Sequence, residues 1–239
     1  MSAVATVATK AAATSFNDRI FRALDRVDYR LVKSAEDLDA VCRMRYDAYL
    51  REGAITPDFS KRLTDRFDEL ENTWVFAVHI DGQLASSFRI HVAQAGRSDT
   101  PAMQIFPEFL KSEIEAGKTI IDPTRFVADW TLARRYPELP YVTVRLGYLA
   151  AEYFGADFVL ASVRTEHQAF YKRVFGHHEI CPPRPYLMLT KPLSLMTLHY
   201  PSAREQILHR HPFFRSTLFE RRMLFERAVE QAALERSAA

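Results

Sequence analysis

The sequence predicts an α+β fold in which helices flank a mixed, mostly antiparallel sheet. The first supporting observation is a pair of strand-like runs, 74–80 and 84–90, which flank Asp81-Gly82, a dipeptide typical of a tight hairpin turn. The second is the alternation of helical and strand-like apolar spacing along the rest of the chain. The third is the composition, with 48% apolar and 26% charged residues in 239, which is ordinary for a globular domain.

The elements before the hairpin follow from local spacing. Apolar residues at helical spacing predict a short helix over 17–26, and a strand is expected around 29–32. Ser34 suits the N-cap of a longer helix, because its side chain can accept a backbone hydrogen bond from the first turn. Asp37 strengthens this helix start, and Gly53 is expected to end the helix.

The later elements alternate between helix and strand. In chain order they are a helix over 103–115, a strand over 119–129, a helix over 141–154, a strand over 158–163, a helix over 166–174, a strand over 186–190 and a helix over 209–235. We expect one α+β domain in 28–195, preceded by a flexible leader and short helix in 1–27 and followed by a helical extension in 196–239.

Charge and apolar patterning exclude several classes of protein. The formal charge is +2, from 32 basic and 30 acidic side chains, whereas a dedicated nucleic-acid binder carries a clear basic surplus. No apolar run approaches the ~18 residues that span a membrane. The N-terminal segment lacks the apolar core of a signal peptide. A cytoplasmic protein is therefore expected.

Cysteine and histidine positions predict neither a disulfide nor a metal site. Cys42 and Cys181 lack metal-ligand spacing and are expected to be reduced and buried. The adjacent His177 and His178 would point to opposite faces of a strand, so they cannot bind one ion together. No metal and no resident cofactor are expected.

Five charged residues are placed to form one buried ionic cluster. Arg45 lies on the apolar stripe of its helix, where an arginine needs carboxylate partners because an unpaired buried charge is strongly destabilising. Asp65 and Asp68, three residues apart, face the same way on a helical turn. Arg89 interrupts a strand whose opposite face is apolar, and Arg125 lies beside Phe126 in another strand. The alternative is a set of separate, solvated surface charges.

The order and spacing of these residues resemble two related groups of the GNAT superfamily, the acyl-homoserine-lactone synthases and the N-acyl amino acid synthases. The matching residues, within about 28–130, are Arg45 with Tyr49, Asp65 with Asp68, Arg89, and Asp122-Pro-Thr-Arg125-Phe126. The segment 169–176 also resembles the helix and turn that close the acyl-thioester groove of GNAT enzymes. The resemblance implies the GNAT (acyl-CoA N-acyltransferase) fold and an acyltransferase.

By the same resemblance each matching residue receives a role. Asp122 is the candidate base, acting through water, and Arg125 or Arg89 would bind the carboxylate of an amino acid acceptor. The remaining substrate-binding candidates shape the acceptor pocket or line the acyl site, and they are Arg45, Tyr49, Asp65, Asp68 and Phe126. Phe158 and Val163 are further candidates for the acyl lining.

Departures from the pattern favour the N-acyl amino acid synthases. Homoserine-lactone synthases usually carry Trp six residues after the aromatic of the first helix, where this chain has Ile55. Their acidic strand residue is usually Glu, and here it is Asp122. Pro123 predicts a strand edge or bulge, because proline cannot donate to a sheet. Such a bulge could bring Asp122 and Arg125 to one cleft.

The segment 129–140 bears on the acyl donor because it contains no glycine. GNAT enzymes that use coenzyme A hold its pyrophosphate on a glycine-rich loop at a helix N-terminus. Acyl carrier protein, which presents the acyl thioester on phosphopantetheine without that pyrophosphate, therefore fits better. Carrier proteins are acidic, so basic residues would form the docking surface. The candidates are Arg134, Arg135, Arg145, Arg164, Lys172 and Arg173.

The expected activity is transfer of a fatty acyl group from acyl carrier protein to the amino group of an amino acid. One alternative is a homoserine-lactone synthase that uses S-adenosylmethionine, and another is a non-catalytic module that binds acyl thioesters or lipids. The C-terminal helix, rich in Arg and Phe, is expected to pack on the domain or on a second subunit. Its alternative role is peripheral contact with a membrane.

Overall fold

The computed structural model of the protein describes residues 15–186 and 188–226. Within them the chain forms a seven-stranded sheet in the order β1-β2-β3-β4-β5-β7-β6. Its strands are β1 (Val27–Leu31), β2 (Thr73–Ile80), β3 (Gln83–Ala93), β4 (Ile120–Ala128), β5 (Phe158–Val163), β6 (His178–Arg184) and β7 (Leu193–His199). Neighbouring strands are antiparallel except for the parallel pair β4 and β5. The predicted α+β fold with a mixed sheet is confirmed.

The helices flank this sheet on both faces. They are α1 (Phe16–Leu24), α2 (Ala35–Arg51), α3 (Pro101–Ile105), α4 (Pro107–Glu115), α5 (Trp130–Arg135), α6 (Leu139–Phe154), α7 (Gln168–Phe175), α8 (Tyr200–Arg210) and α9 (Leu218–Phe225). Short 3-10 turns lie at Arg66–Asp68, Thr165–His167 and Pro212–Phe214. The side chain of Ser34 caps α2 by accepting from the amide of Asp37, as predicted.

The hairpin of β2 and β3 turns at the predicted dipeptide. Asp81 and Gly82 have φ values of 50° and 77°, both positive, as a type I′ turn requires. Arg26 pairs with the carboxylate of Asp81 and so ties the turn to the end of α1. The hairpin was predictable because its geometry depends on two adjacent residues.

Two apolar cores lie on opposite faces of the sheet. On one face α6 packs against β3 and β4, together with α1, α8 and α9, and its residues from Val142 to Ala151 are all buried. On the other face α3 and α4 pack against the later strands around Phe106 and Leu195. Cys42 and Cys181 are free and buried, as expected.

Several predicted elements need correction. The described residues 186 and 188–190 form no strand, and the strands at this end of the sheet are β6 and β7. Pro182 and Pro183 obscured β6 in the sequence, yet they are tolerated because β6 is an edge strand. The helix expected over 103–115 is divided into α3 and α4 at Pro107.

The C-terminal part also differs from the expectation. One helix was expected over 209–235, but α8 ends at Arg210 and Pro212 separates it from α9. β7 runs to His199, so the helical segment begins after the expected boundary at 195. Residues 227–235 and the leader up to residue 14 lie outside the described residues.

The parallel strands β4 and β5 diverge. Their described pairing is confined to Ile120 with Phe158 and Ile121 with Val159, at the start of both strands. Beyond this point the two strands separate while β4 stays paired with β3. The gap that they leave is where the candidate active site lies.

Candidate active site

A cavity of about 920 Å³ occupies the gap between β4 and β5. Its walls come from β4, β5, α6 and α7, and its interior is largely apolar and aromatic. Gly147 of α6 lines it, and a Cβ there would lie 3.6 Å from the ring of Phe88. This volume is at the upper end of the ~300–1,000 Å³ typical of ligand pockets, so a long apolar chain can be accommodated.

The five charged residues predicted to cluster do so at one end of this cavity. Each guanidinium contacts a carboxylate, and the carboxylates are shared. The N–O distances are 2.7 Å for Arg45–Asp68, 2.6 Å for Arg89–Asp65, 2.9 Å for Arg89–Asp68 and 2.5 Å for Arg125–Asp65. The predicted buried ionic cluster is therefore present.

Local structure fixes both carboxylates of the cluster. Asp65 caps the 3-10 turn Arg66–Asp68 by accepting from the amide of Phe67, and Asp68 accepts in return from the amide of Asp65. This reciprocal capping holds the two acids side by side on one turn. Thr124 of β4 accepts from Nε of Arg89 at 2.9 Å, which fixes that guanidinium from the other side.

Both aspartates of the cluster are ionised. Burial opposes ionisation of Asp65, but Arg89 and Arg125 outweigh it and hold its pKa well below the usual range. Asp68 behaves in the same way, since burial is outweighed by Arg45 and Arg89 and the pKa is lowered. The cluster thus holds three cations and two anions, and charge attraction keeps it intact at neutral pH.

A bulge in β4 brings Arg125 into the cluster. Ser87 pairs with Val127 and Arg89 with Thr124, so Phe88 faces two residues of β4 instead of one. Arg125 takes up the extra length with a φ of 52°, a left-handed conformation that costs a non-glycine residue about 1–2 kcal/mol. The bulge predicted from Pro123 therefore exists, and it places Arg125 on the same face as Thr124.

A second, smaller cavity of about 30 Å³ adjoins the large one. Arg89, Arg125, Thr124 and Tyr186 contribute to its lining, and Arg125 and Thr124 line both cavities. Neither cavity has Arg45, Asp65 or Asp68, the other members of the ionic cluster, in its described lining. Arg45, Asp65 and Asp68 thus support Arg89 and Arg125 from behind.

Asp122 lies on the same face as the cluster but deeper. It is fully buried, and its Oδ2 accepts from the amide of Ala102 at 2.9 Å. Its Oδ1 has no hydrogen-bond partner in the described part of the chain. Burial raises the pKa of Asp122 to about 6. Asp122 is absent from the described lining of both cavities, so it can reach a substrate only through an intermediate group.

The aromatic candidates divide into two groups. Tyr49 lies under the guanidinium of Arg125, 5.3 Å from ring centroid to Cζ, and lines both cavities. Phe126 packs edge-on against Phe88 and lines the large cavity, as does Val163. Phe158 packs in the core beyond the cavity, against His199, because it precedes the point where β5 leaves β4. Its predicted contact with the acyl chain is therefore wrong.

Two of the predicted docking residues lie at the rim of the large cavity. Arg134 stacks on the exposed ring of Trp130, a lining residue, with Cζ 5.6 Å from the centroid. Arg164 lines the rim and pairs with Glu52 at 2.5 Å. Arg135, Lys172 and Arg173 are exposed, and their role in docking stays a prediction.

Arg145 is a correction. It is only 5% exposed, and its guanidinium donates to the carbonyls of Phe213 and Arg215 and to the carboxylate of Glu220. These contacts fasten α6 to the C-terminal segment, so Arg145 is unavailable to a docking partner. Its position on an amphipathic helix gave no sign of this, because its partners lie about 70 residues away.

Other rim and lining residues were not predicted from the sequence. Arg51, in the last turn of α2, stacks on Trp130 at 5.4 Å, and Lys191 lines the same rim. Tyr171 of α7 lines the large cavity within the segment that resembles the GNAT groove-closing helix, so that signal was available. Tyr186 lines the small cavity from a loop, whereas the sequence predicts a strand there.

Two structural findings concern other classes of site. In residues 15–186 and 188–226 no group of three or more His, Cys, Asp or Glu side chains is arranged to hold a metal ion. The helices described there are all too short or too polar to cross a membrane.

With this geometry established, comparison with known proteins identifies the family. The sequence model described as "N-acyl amino acid synthase FeeM" matches residues 40–199. The chain belongs to this family. The matched segment contains the ionic cluster, the β4 bulge and most of the lining of the large cavity. Comparison with the curated proteins gave no match.

Solved structures agree with the family in fold. The structure of FeeM, an N-acyl amino acid synthase from uncultured soil microbes, has a TM-score of 0.62 and 23% identity over 79% of this chain and 98% of its own. TofI, in a complex with an inhibitor and MTA, has a TM-score of 0.52 and 13% identity over 80% and 100%. The AHL synthase LasI has 0.51 and 13% over 72% and 89%. The fold is GNAT-like and the protein is an acyltransferase.

Proposed function

We propose that this FeeM-family protein transfers a fatty acyl group from acyl carrier protein to the amino group of an amino acid, giving an N-acyl amino acid. The observation that carries the proposal is the junction of a large, mostly apolar cavity with a small one whose lining includes Arg89 and Arg125. An acyl chain suits the first cavity, and the acceptor's carboxylate would lie against Arg125, which lines both cavities where they meet.

The acceptor's carboxylate is assigned to Arg125, with Arg89 beside it. A guanidinium matches a carboxylate bidentately, which orients the ligand as well as binding it. Arg125 is held by Asp65 through one nitrogen and by the ring of Tyr49, and it lines both cavities. The remaining face of this guanidinium can therefore meet the acceptor, and the amine would point toward the thioester.

The proposed donor rests on the start of α5. The carboxylate of Asp129 caps this helix, accepting from the amide of Leu132 at 2.8 Å. An acidic side chain thus already occupies the position where a pyrophosphate would meet helix N–H groups, and a second anion would be repelled. Arg51, Arg134 and Arg164 around the rim favour an acidic protein that delivers its acyl group on phosphopantetheine.

The chemistry is aminolysis of a thioester. The neutral amine attacks the carbonyl carbon, a backbone N–H at the β4 bulge stabilises the oxyanion, and the C–S bond then breaks. The amine nitrogen loses one proton and the pantetheine thiolate gains one. Asp122, whose pKa burial raises to about 6, is ionised at neutral pH and would accept the proton through an intervening water.

Purified protein should be incubated with acyl carrier protein or coenzyme A thioesters and a panel of amino acids, with products identified by mass spectrometry. N-acyl amino acid from the carrier-protein donor is expected, and efficient use of coenzyme A alone would contradict the assigned donor. S-adenosylmethionine should be included, since release of methylthioadenosine would indicate a homoserine-lactone synthase instead. Thioesters that survive with every acceptor would indicate a binding module.

Arg125→Lys tests the acceptor assignment. Lysine keeps the charge but lacks the bidentate fork, so KM for the amino acid should rise about 10-fold or more while KM for the acyl donor stays unchanged. A rise in the donor KM alone would place the acceptor's carboxylate elsewhere.

A further inference from the structure

Trp130 opens α5 at the rim of the large cavity, and two arginines lie against its ring. The tryptophan side chain lines the cavity, yet the residue is 53% exposed. Cζ of Arg134, one turn further along the same helix, is 5.6 Å from the ring centroid, and Cζ of Arg51, at the end of α2, is 5.4 Å from it. Both distances are within the range of a cation–π interaction. The indole therefore brings guanidiniums from two different helices together at the mouth of the cavity.

The positive charge of these two arginines is not neutralised by nearby acids. In the described part of the chain, neither Arg51 nor Arg134 forms an ion pair with a carboxylate. Glu52, the neighbour of Arg51, pairs with another arginine of the rim. Asp129, which precedes the tryptophan, accepts from a helix amide instead. Two like charges on one ring repel each other, so the arrangement points to an anionic ligand that both guanidiniums bind.

We propose that Arg51 and Arg134 bind the phosphate of the donor's phosphopantetheine arm in front of Trp130. The inference rests on the proposed donor, and it names the chemical group of that donor which the rim recognises. A guanidinium can donate to two phosphate oxygens at once, and such charge-assisted hydrogen bonds are stronger than neutral ones. The phosphodiester is the charged group of an otherwise neutral arm, so two cations at the entrance select this group.

The distance between the two ends of the site suits this arm. Arg125, beside which the thioester would react, is five residues from Trp130, and five residues span at most about 18 Å. A fully extended phosphopantetheine arm has about the same length. Phe126, Val127 and Ala128 line the large cavity, so the cavity follows β4 from one end of this distance to the other. A phosphate at the tryptophan therefore leaves the thioester within reach of the acceptor's amine.

This arrangement differs from a helix N-terminus that holds a pyrophosphate on its backbone. The carboxylate of Asp129 accepts from the amide of Leu132 at 2.8 Å, so an acid of the chain already meets the first N–H groups of α5. Guanidiniums on side chains can bind a phosphate further out, over the exposed indole, where this carboxylate repels it less. Coenzyme A carries a phosphate at the same position of its own arm, so an experiment has to separate the two donors.

Donors that differ by one phosphate test the site. The same acyl group should be offered on pantetheine, phosphopantetheine, coenzyme A and acyl carrier protein, with one amino acid as acceptor. For wild type we expect kcat/KM to be about 10-fold or more higher with acyl-phosphopantetheine than with acyl-pantetheine. In the double variant Arg51→Met/Arg134→Met this ratio should fall to about 1. Both values come from one preparation, so the ratio does not depend on how much of the variant folds.

Arg184→Met is the matched control. Arg184 also stacks on aromatic rings, with Cζ 5.1 Å from the centroid of Phe106 and 5.8 Å from that of Phe109. It lies outside the described lining of both cavities, so this variant should keep the wild-type ratio of the two donors. A wild-type ratio near 1, or an unchanged ratio in the double variant, would overturn the phosphate site.

Two other results would assign the arginines differently. If the double variant loses activity with acyl carrier protein but keeps the phosphate ratio, the arginines contact acidic side chains of the carrier protein and the proposal is wrong. If coenzyme A thioesters are the best donor and depend on both arginines, the phosphate belongs to coenzyme A and the assigned donor is wrong.

Calorimetry with free phosphopantetheine and free pantetheine reads the site without any acyl transfer. Tighter binding of phosphopantetheine is expected in wild type and not in the double variant. Because this measurement needs no acceptor, it tests the phosphate site even if wild type forms no N-acyl product and the proposed function fails. Equal binding of the two compounds by wild type would overturn the site while the proposed function stands.

Discussion

Asp122→Asn is expected to change how the stability of the protein depends on pH. Asp122 is fully buried, and burial raises its pKa from 3.8 to about 6. The unfolded chain therefore releases this proton at lower pH than the folded protein. Asp122 thus contributes stability that is complete below about pH 4 and is lost as pH rises through about 6.

The magnitude follows from the two pKa values. One pKa unit corresponds to about 1.4 kcal/mol, so the loss is about 3 kcal/mol once pH exceeds about 7. Part of this stabilisation is already lost at pH 4.5, so about 2 kcal/mol is lost between pH 4.5 and pH 7.5. Asparagine does not ionise and can still accept from the amide of Ala102. Relative to wild type, the variant should gain about 2 kcal/mol over that range.

Urea unfolding followed by circular dichroism at the two pH values measures this difference. Asp157→Asn is the control of opposite sign. Partial burial opposes ionisation of Asp157, but the amide of Thr119 and the ammonium of Lys118 lower its pKa. Its contribution to stability is present at neutral pH and lost as pH falls. If the difference in free energy of unfolding between Asp122→Asn and wild type stays constant or shrinks as pH rises, Asp122 is not a buried carboxylate that ionises near pH 6.

Three further outcomes are expected. Arg45→Met leaves Asp68 with one fewer partner in a fully buried site, and should lower the free energy of unfolding by about 3–5 kcal/mol in urea titrations; a loss below about 1 kcal/mol would contradict the role of the cluster. Gly147→Ala should stabilise α6 by about 0.5–1 kcal/mol, because its Cβ would lie 3.6 Å from Phe88, an ordinary contact distance. Gly147→Leu should lower kcat/KM for long acyl donors more than for short ones. Equal losses for both would show that the acyl chain binds elsewhere. Arg134→Glu should raise KM for acyl carrier protein most at low ionic strength. Arg97→Glu should not, because Arg97 follows the C-terminal end of β3 and lies outside the described lining of the large cavity. Equal effects of the two variants would exclude the rim as the docking surface.

The fold was predictable where structure is local. Asp81-Gly82 forces its own turn, and Ser34 caps its own helix, so both could be identified from a few neighbouring residues. β6 was missed because Pro182 and Pro183 argue against a strand, and only its edge position makes them acceptable. Edge position is a property of the whole sheet and cannot be read from seven residues.

The candidate site was predictable to the extent that charge needs compensation. An arginine on an apolar stripe requires an acid, and this argument correctly joined Arg45 to Asp68 across 23 residues of sequence. It could not identify Arg145 as structural, because an arginine that faces Glu220 looks the same in the sequence as one that faces solvent. Tyr186 was missed for a related reason, since its environment comes from β3, β4 and the loop after β6 together.

The arrangement of the ionic cluster has a consequence for catalysis. Both acids lie on one capped turn, and the three guanidiniums reach it from α2, β3 and β4. Arg89 and Arg125, the proposed anchors of the acceptor, are therefore held in place before any acceptor binds, so little conformational entropy would be lost on binding. Selectivity among amines can then change through the neighbouring wall residues while the anchor itself stays fixed.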